Sequence, residues 1–402
     1  MIYKKLDKEK WFCKNDVAVR GYCFDNANNF CENEDFVALF ADVKTENEFC
    51  AVLQMLNGIF SVIIFNENAL YAASDKSRIF QLFYCLENQN IIISDNPYFL
   101  LGEKPKIDAK AETEFLLTSF TLDEKTLLKN IFQIKPSNFL IFEDEKARQT
   151  EFYSYCIKNE EINLSKKLEN DFVIVLKNVF LRLIRSANGR QIVVPLSGGY
   201  DSRLIVAMLK TLDYKNVVCY TVGREGNAEY QIARQVAERL DYKYHFIFTG
   251  DENLLRDYTS DAVFQKYYKF SASFCNSFWM YEYFGVKYLI DNNLIEKNAI
   301  FVPGHSGDFL AGSQTTKMAI FNNFSQKKLL RKITEYTFIF GKAKKNIVKK
   351  LTQIIDFKQN VDMISIFDDF LLKVRLPKLT NNAVRLYEFF GYQARLPFWD
   401  NV

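Results

Sequence analysis

The sequence predicts two domains of different class: an α+β sandwich over residues 1–155, then an α/β doubly wound parallel-sheet domain with extra helices over 156–402. Three observations predict this. Short apolar runs cut by turn residues crowd the first 155 positions, which is the spacing of antiparallel hairpins. Further on, strand-like and helix-like runs alternate, the order of a parallel sheet covered on both faces. A glycine turn separates the first of those strands from its helix, a place where anions bind.

In the first domain the strands are read at 17–24, 58–65 and 69–73, with a turn at 66–68 between the last two. A further hairpin joins 82–85 to 90–94 around Glu87-Asn-Gln. Helices are expected at 47–56 and 111–119. The second domain opens on a long helix, 164–186, followed by the strand 192–196. A helix at 202–212, a strand at 217–222 and a helix at 228–240 come next. Residues 251–297 read as helical, a strand returns at 299–302, and 320–390 reads as helical again. There is no internal repeat and no low-complexity linker.

Composition limits the function. With 49% hydrophobic residues over 402 positions the chain buries sizeable cores. Its 52 basic and 49 acidic residues give a net charge of +3, so there is no electrostatic footprint for nucleic acid. Any phosphate recognition is therefore local. The eight cysteines, Cys13, Cys23, Cys31, Cys50, Cys85, Cys156, Cys219 and Cys275, form no C-x-x-C pair, which argues against structural zinc. Free thiols of a reducing cytoplasm are expected. No signal-peptide run follows Met1, and no stretch approaches the roughly 18 apolar residues of a membrane helix. A soluble, cytoplasmic protein without membrane or nucleic-acid partners is the expectation.

The chemistry concentrates in Ser197-Gly-Gly-Tyr-Asp-Ser202, which follows a buried strand and opens a helix. Gly198 and Gly199 let backbone approach a phosphate closely. The helix N-terminus presents free N–H groups and the positive end of its dipole. Ser197 and Ser202 add hydroxyls. Asp201 would repel a phosphate directly, and makes sense if Mg²⁺ sits between the two anions.

These residues resemble the pyrophosphatase loop of the N-type ATP pyrophosphatases, which cleave ATP between its α and β phosphates. Three further segments are similar to asparagine synthetases. Thr221-Val222-Gly223 ends the second strand, where backbone of that family holds adenine. Val302-Pro-Gly-His-Ser-Gly-Asp308-Phe-Leu-Ala-Gly-Ser313 resembles the family's S-G-E-G-x-D-E-x-x-G-G loop. Tyr392-Gln-Ala-Arg-Leu-Pro-Phe-Trp-Asp400 resembles E-x-R-x-P-F-x-D. In the first domain, Leu56-Asn-Gly-Ile-Phe-Ser-Val-Ile-Ile-Phe65, Ala73-Ser-Asp-Lys-Ser-Arg78 and Gln81-Leu-Phe-Tyr84 are similar to the amidotransferase run L-N-G-x-F-A-F … R-D-x-x-G-x-x-P-L-Y-Y.

The resemblance implies an N-terminal-nucleophile-type sandwich, an ATP- and Mg²⁺-dependent synthetase domain, and amide formation through an acyl-adenylate. Asp201 and Asp308 would hold the metal; Ser197, Gly198, Gly199 and Ser202 the phosphates; Leu196, Val222, Gly223 and Gly304 the adenosine. The acceptor would be aspartate, which is asparagine biosynthesis, or another carboxylate on a sugar or peptide.

The sequence departs from that pattern in three places. Position 2, where the family carries its cysteine nucleophile, is Ile2, so no glutaminase activity is expected and the first domain reads as degenerate. Nitrogen would come from ammonia, from a separate subunit or from an amine substrate. His305 stands where the family has Glu, and its alternatives are a base or donor near the acceptor or a merely packed residue. Relatives usually continue past the P-F-x-D motif, so a further subunit supplying that segment is one expectation. A catalytically inactive family member acting as subunit or scaffold is the other reading of the same departures.

Overall fold

The first half is strand-rich because its apolar runs are aromatic or β-branched and are punctuated by Asn and Asp. The computed structural model describes residues 1–66, 69–155, 165–224, 226–249, 258, 260–315, 325–341, 345–357 and 361–401. It divides into two compact units. The first comprises Met1–Glu161, Ala272–Ser277 and Thr315–Asn381, and the second comprises Ile162–Ser271, Phe278–Gln314 and Asn382–Val402.

The first unit carries β1 (Ile2–Lys5), β2 (Phe12–Lys14), β3 (Val17–Phe24), β4 (Phe30–Glu32), α1 (Asn33–Ala38) and α2 (Glu46–Met55). There follow β5 (Asn57–Phe65), β6 (Ala69–Ser74), β7 (Phe83–Glu87), β8 (Asn90–Ser94), α3 (Ala109–Thr118), β9 (Ile131–Gln133), β10 (Asn138–Glu143) and β11 (Lys146–Glu151). An antiparallel sheet runs β11-β10-β6-β5-β3-β2, with β4 paired to β3. A mixed sheet runs β1-β8-β7-β9, with β1 parallel to β8 and the other pairs antiparallel. One core lies between the sheets, where Ala18, Ile63, Leu70 and Leu140 meet Tyr84, Ile91 and Ile93. The other covers the opposite face of the larger sheet, where Val19, Val62 and Phe139 meet Phe36 and Phe49 of the helices. Alternate residues of β5 thus enter different cores, as the period of two requires. A capping box starts α2: Thr45 accepts from Glu48 N–H and the Glu48 carboxylate accepts from Thr45 N–H.

Hairpin spacing locates β3, β5, β6, β7 and β8, and misses β1, β2, β4 and β9 to β11. β1 and β11 are largely exposed and rich in Lys, Arg or Gln, so they carry no apolar alternation to read. They are strands because a paired neighbour supplies the ladder, β8 for one and β10 for the other. The turn at 66–68 and Cys156 fall in part or wholly outside the described residues. The other seven cysteines are free thiols.

Lys378 is buried in this unit and donates to the carbonyls of Thr121 and Asp123, the latter at 3.2 Å. Burial, then the nearby Arg78 guanidinium, push its ammonium down to about 7. The unfolded chain keeps that proton up to about 10.4. Between those values the unfolded state binds the extra proton, so stability is lowest below pH 7 and rises with pH across the window. Denaturation midpoints should climb from pH 7 to 10 in the native chain and climb less in Lys378→Met.

The second unit begins with α4 (Lys166–Ala187), started by the Ser165 hydroxyl. Then come β12 (Ile192–Pro195), α5 (Tyr200–Thr211), β13 (Val217–Gly223), α6 (Ala228–Arg239), β14 (Lys243–Phe248), β15 (Ile300–Phe301) and β16 (Gln393–Ala394). The sheet runs β14-β13-β12-β15-β16, parallel throughout. Ile192, Val194, Cys219 and Ile300 bury one face with residues of α4, α5 and α6. On the opposite face Phe301 stacks on Tyr387 at 4.2 Å.

β14 escapes the pattern reading because Lys243 and His245 interrupt its apolar residues. The helical expectation for 251–297 needs correction. Helices Ala262–Ala272 and Tyr283–Asp291 are separated by a non-helical stretch that starts at Ser273 and Phe274, with φ of 46° and 55°. Residues 251–257 and 259 lie outside the described set. Within 320–390 the described residues form helices Gln326–Thr337, Lys345–Ile354, Met363–Phe370 and Arg385–Phe389, and shorter turns. Among the described residues no helix is long and apolar enough to cross a membrane.

Candidate active site

The strand order reverses direction at β12: β13 and β14 lie to one side, β15 and β16 to the other. Open parallel sheets bind ligands outside the carboxyl ends of strands at such a point. Both glycine-bearing loops are there, one leaving β12 and one leaving β15.

The first loop is knitted by its own serines. Ser197 N–H donates to Ser202 Oγ at 3.0 Å, the two hydroxyl oxygens are 3.1 Å apart, and Gly199 N–H donates to Ser197 Oγ at 3.2 Å. Ser202 is buried, so its hydroxyl holds the turn. The glycines answer to packing, since neither has a positive φ. A Cβ on Gly198 would lie 3.0 Å from Glu229 Cα, at the start of α6, and one on Gly199 would lie 3.2 Å from Ser197 Oγ. Asn227 caps α6 by accepting from Glu229 N–H at 3.0 Å. The N-terminus of α6 therefore abuts the same turn that begins α5.

The second loop packs directly on Asp201. A Cβ on Gly304 would lie 3.1 Å from Ser202 N and 3.2 Å from Asp201 Cβ. At Gly307 it would lie 2.5 Å from Asp201 Cγ. Asp308 N–H donates to the Asp201 carboxylate; burial, and then the charge of Asp308, nevertheless hold the Asp201 carboxyl above its ordinary value. Asp308 is exposed, and its Oδ2 accepts from Gln314 Nε2 at 2.9 Å. A carboxylate whose proton affinity is raised by a second carboxylate beside it suits a divalent cation. Among the described residues no cluster of three or more His, Cys, Asp or Glu could enclose a metal. A cation here would take its remaining ligands from phosphate oxygens and water.

Ser306 sits at φ 70°, a region that favours glycine, at the second glycine of the S-G-E-G pattern. Its Oγ accepts from Trp399 Nε1 at 3.0 Å. Next to Trp399, Asp400 takes a bidentate pair from Arg182 of α4, both contacts at 2.7 Å. The P-F-W-D segment thus clamps the second loop and ties it to α4. Trp399→Phe keeps an aromatic side chain and deletes the indole donor. It should cost about 1 kcal/mol in equilibrium denaturation, the usual worth of one hydrogen bond, and raise amide exchange at 304–308.

His305 is partly exposed as a residue, but its Nδ1 is enclosed and has no hydrogen-bond partner among the described residues. Burial pushes its imidazole down to about 4, while the Asp308 carboxylate pulls the other way. It is neutral at pH 7 and a weak base. Leu196 is buried, and its carbonyl accepts from Thr221 Oγ1 at 2.5 Å. Val222 packs against Gly285, where a Cβ would lie 2.2 Å from Val222 Cγ2. The Val222 carbonyl accepts from Tyr281 Oη at 3.4 Å, and the Gly223 carbonyl from Thr249 N–H at 3.0 Å. Of the residues named from sequence, Ser197, Gly198, Gly199, Asp201, Ser202, Gly304 and Asp308 are brought together by these contacts. Leu196, Val222 and Gly223 lie at the ends of β12 and β13. Gly307, Ser306 and Trp399 were not singled out in the sequence, although they lie within motifs whose spacing was already visible.

Residues 32–153 match the family model of a glutamine amidotransferase domain, and residues 184–288 match that of asparagine synthase. Together they support an asparagine synthetase-family protein. Among the relatives of this chain is the microcin J25-processing protein McjC of Escherichia coli. It is 21% identical over 316 residues, covering 77% of this chain and 58% of McjC. A probable glutamine-hydrolyzing asparagine synthetase of Acanthamoeba polyphaga mimivirus is 48% identical over 59 residues, 14% of this chain and 11% of that protein. The chain thus spans less than two thirds of either relative. Solved structures similar to it include glutamine phosphoribosylpyrophosphate amidotransferase from B. subtilis, with 10% identity, TM-score 0.25, and coverage of 58% of this chain and 72% of that one. Another is the NH3-dependent NAD synthetase of Campylobacter jejuni, with 13% identity, TM-score 0.26, and coverage of 48% and 90%.

Proposed function

We propose that this protein is an ATP-dependent carbon–nitrogen ligase that forms an amide through an acyl-adenylate and does not hydrolyse glutamine itself. The observation that carries the reading is the seating of the Gly304–Gly307 backbone on Asp201, which brings the two carboxylates to the phosphate turn. The reacting carboxylate attacks the α-phosphorus of ATP, and the bond to the β-phosphate oxygen breaks. N–H groups of the α5 N-terminus face the departing pyrophosphate. Mg²⁺, held by Asp201 and Asp308, would supply charge neutralisation there. An amine then attacks the acyl carbon and AMP leaves. Neutral His305, on the second loop, is the side chain this reading assigns to the amine's proton, as a weak base.

On this reading nitrogen comes from ammonia, from another subunit or from an amine substrate. The relative named for processing a microcin supports a carboxylate on a peptide as the acceptor, alongside aspartate and sugar carboxylates. The test is exchange of labelled pyrophosphate into ATP by purified protein, run with panels of amino-acid, peptide and sugar carboxylates. Exchange that needs one class of carboxylate, without glutamate release from glutamine, is expected. ATP binding with no exchange for any class would favour an inactive subunit, and glutamate release would overturn the nitrogen assignment.

A further inference from the structure

The phosphate turn of a nearly neutral protein must find its positive charge locally, and α5 supplies one. Arg203 folds back over the first turn of its own helix. Its Nε donates to the Gly199 carbonyl at 3.0 Å, and its guanidinium lies 4.4 Å from the centre of the Tyr200 ring. Tyr200 is 82% exposed and occupies the variable position of the S-G-G-x-D-S turn. Stacking on an exposed ring orders a guanidinium without removing its charge from solvent. Bonding through Nε leaves the terminal nitrogens to point elsewhere. A planar fork of this kind matches two phosphate oxygens at once, which a lysine cannot do. The Gly199 carbonyl belongs to the turn that this reading assigns to phosphate, so the fork is fixed within one residue of that turn.

We infer that Arg203, ordered by Tyr200, binds the pyrophosphate group and is a positioning residue for its departure. This rests on the reading of the site as a nucleotide site and deepens it, because no residue of the Ser197–Ser202 turn is a cation. Tyr200 then has a role that explains its exposure: it holds the fork at the rim when no anion is bound. Binding costs less when the arginine is already ordered.

Calorimetry with Mg²⁺-pyrophosphate and, separately, with adenosine tests the assignment. Arg203→Met should weaken pyrophosphate binding about tenfold, the scale of a solvent-accessible charge-assisted contact, and leave adenosine binding unchanged. Arg203→Lys should recover part of the loss, because it restores charge without the fork. Tyr200→Leu should weaken pyrophosphate by a smaller factor and leave adenosine unchanged. Thermal melts identify any variant that has lost its fold, and Arg203→Lys then carries the test. Equal pyrophosphate affinity in the native chain and Arg203→Met, with adenosine still bound, overturns the role of Arg203 alone. A native chain that binds neither adenosine nor pyrophosphate overturns the reading of the site and this assignment with it.

Discussion

Asp201→Asn is expected to weaken Mg²⁺-ATP binding by 10- to 100-fold and to abolish its dependence on Mg²⁺. The range follows from losing one charge-assisted contact of about 1.5–3 kcal/mol. The amide keeps the acceptor for Asp308 N–H and removes only the charge. The same substitution should leave the metal-free protein at least as stable, since burial and Asp308 already penalise the Asp201 carboxylate. The two effects have opposite sign, so general damage to the fold cannot imitate them. Calorimetry with and without Mg²⁺, beside denaturant melts of the metal-free chain, measures both. Unchanged affinity in the variant, with metal present and absent, would remove Asp201 from the metal site.

Asp400→Ala should be the most damaging single change in the second unit. Arg182 and Asp400 are both nearly buried, with side chains 9% and 11% exposed. Breaking such a pair leaves an uncompensated buried charge, which typically costs about 3–5 kcal/mol. The double replacement Arg182→Met with Asp400→Leu should recover most of that loss, because the pair itself is worth little against apolar groups of similar volume. Urea denaturation of the three proteins measures both effects. A loss under about 1 kcal/mol in Asp400→Ala would mean that solvent reaches the pair.

The order of elements in the second unit was legible because β12, β13 and β15 are buried from both sides and read as unbroken apolar runs. The phosphate turn was legible because strand, glycine pair and helix stand in one short stretch. Other site features were not. The role of Gly198 depends on Glu229, and that of Gly307 on Asp201; each contact is a property of the fold, invisible along the chain. Ser202 was read as a phosphate donor, and its hydroxyl holds the turn, a distinction that only the Ser197 N–H makes. The break at Ser273 was hidden because its neighbours are aromatic and suit a helix pattern as well as they suit the packing seen. Edge strands such as β14 keep polar residues for solvent, which erases the signal that identifies a central strand.

The clamp on the second loop also bears on how the molecule acquires its shape. Ser306 and Trp399 are 93 positions apart, and Arg182 and Asp400 are 218 apart. Contacts that distant close large loops before they are rewarded, and proteins dominated by them reach the native state slowly. Local pieces such as α5 and α6 can form early, whereas the geometry around Asp201 waits for the two ends of this unit to meet. Refolding followed by helix content should therefore run ahead of refolding followed by nucleotide binding, with the interval set by the Trp399 and Asp400 contacts.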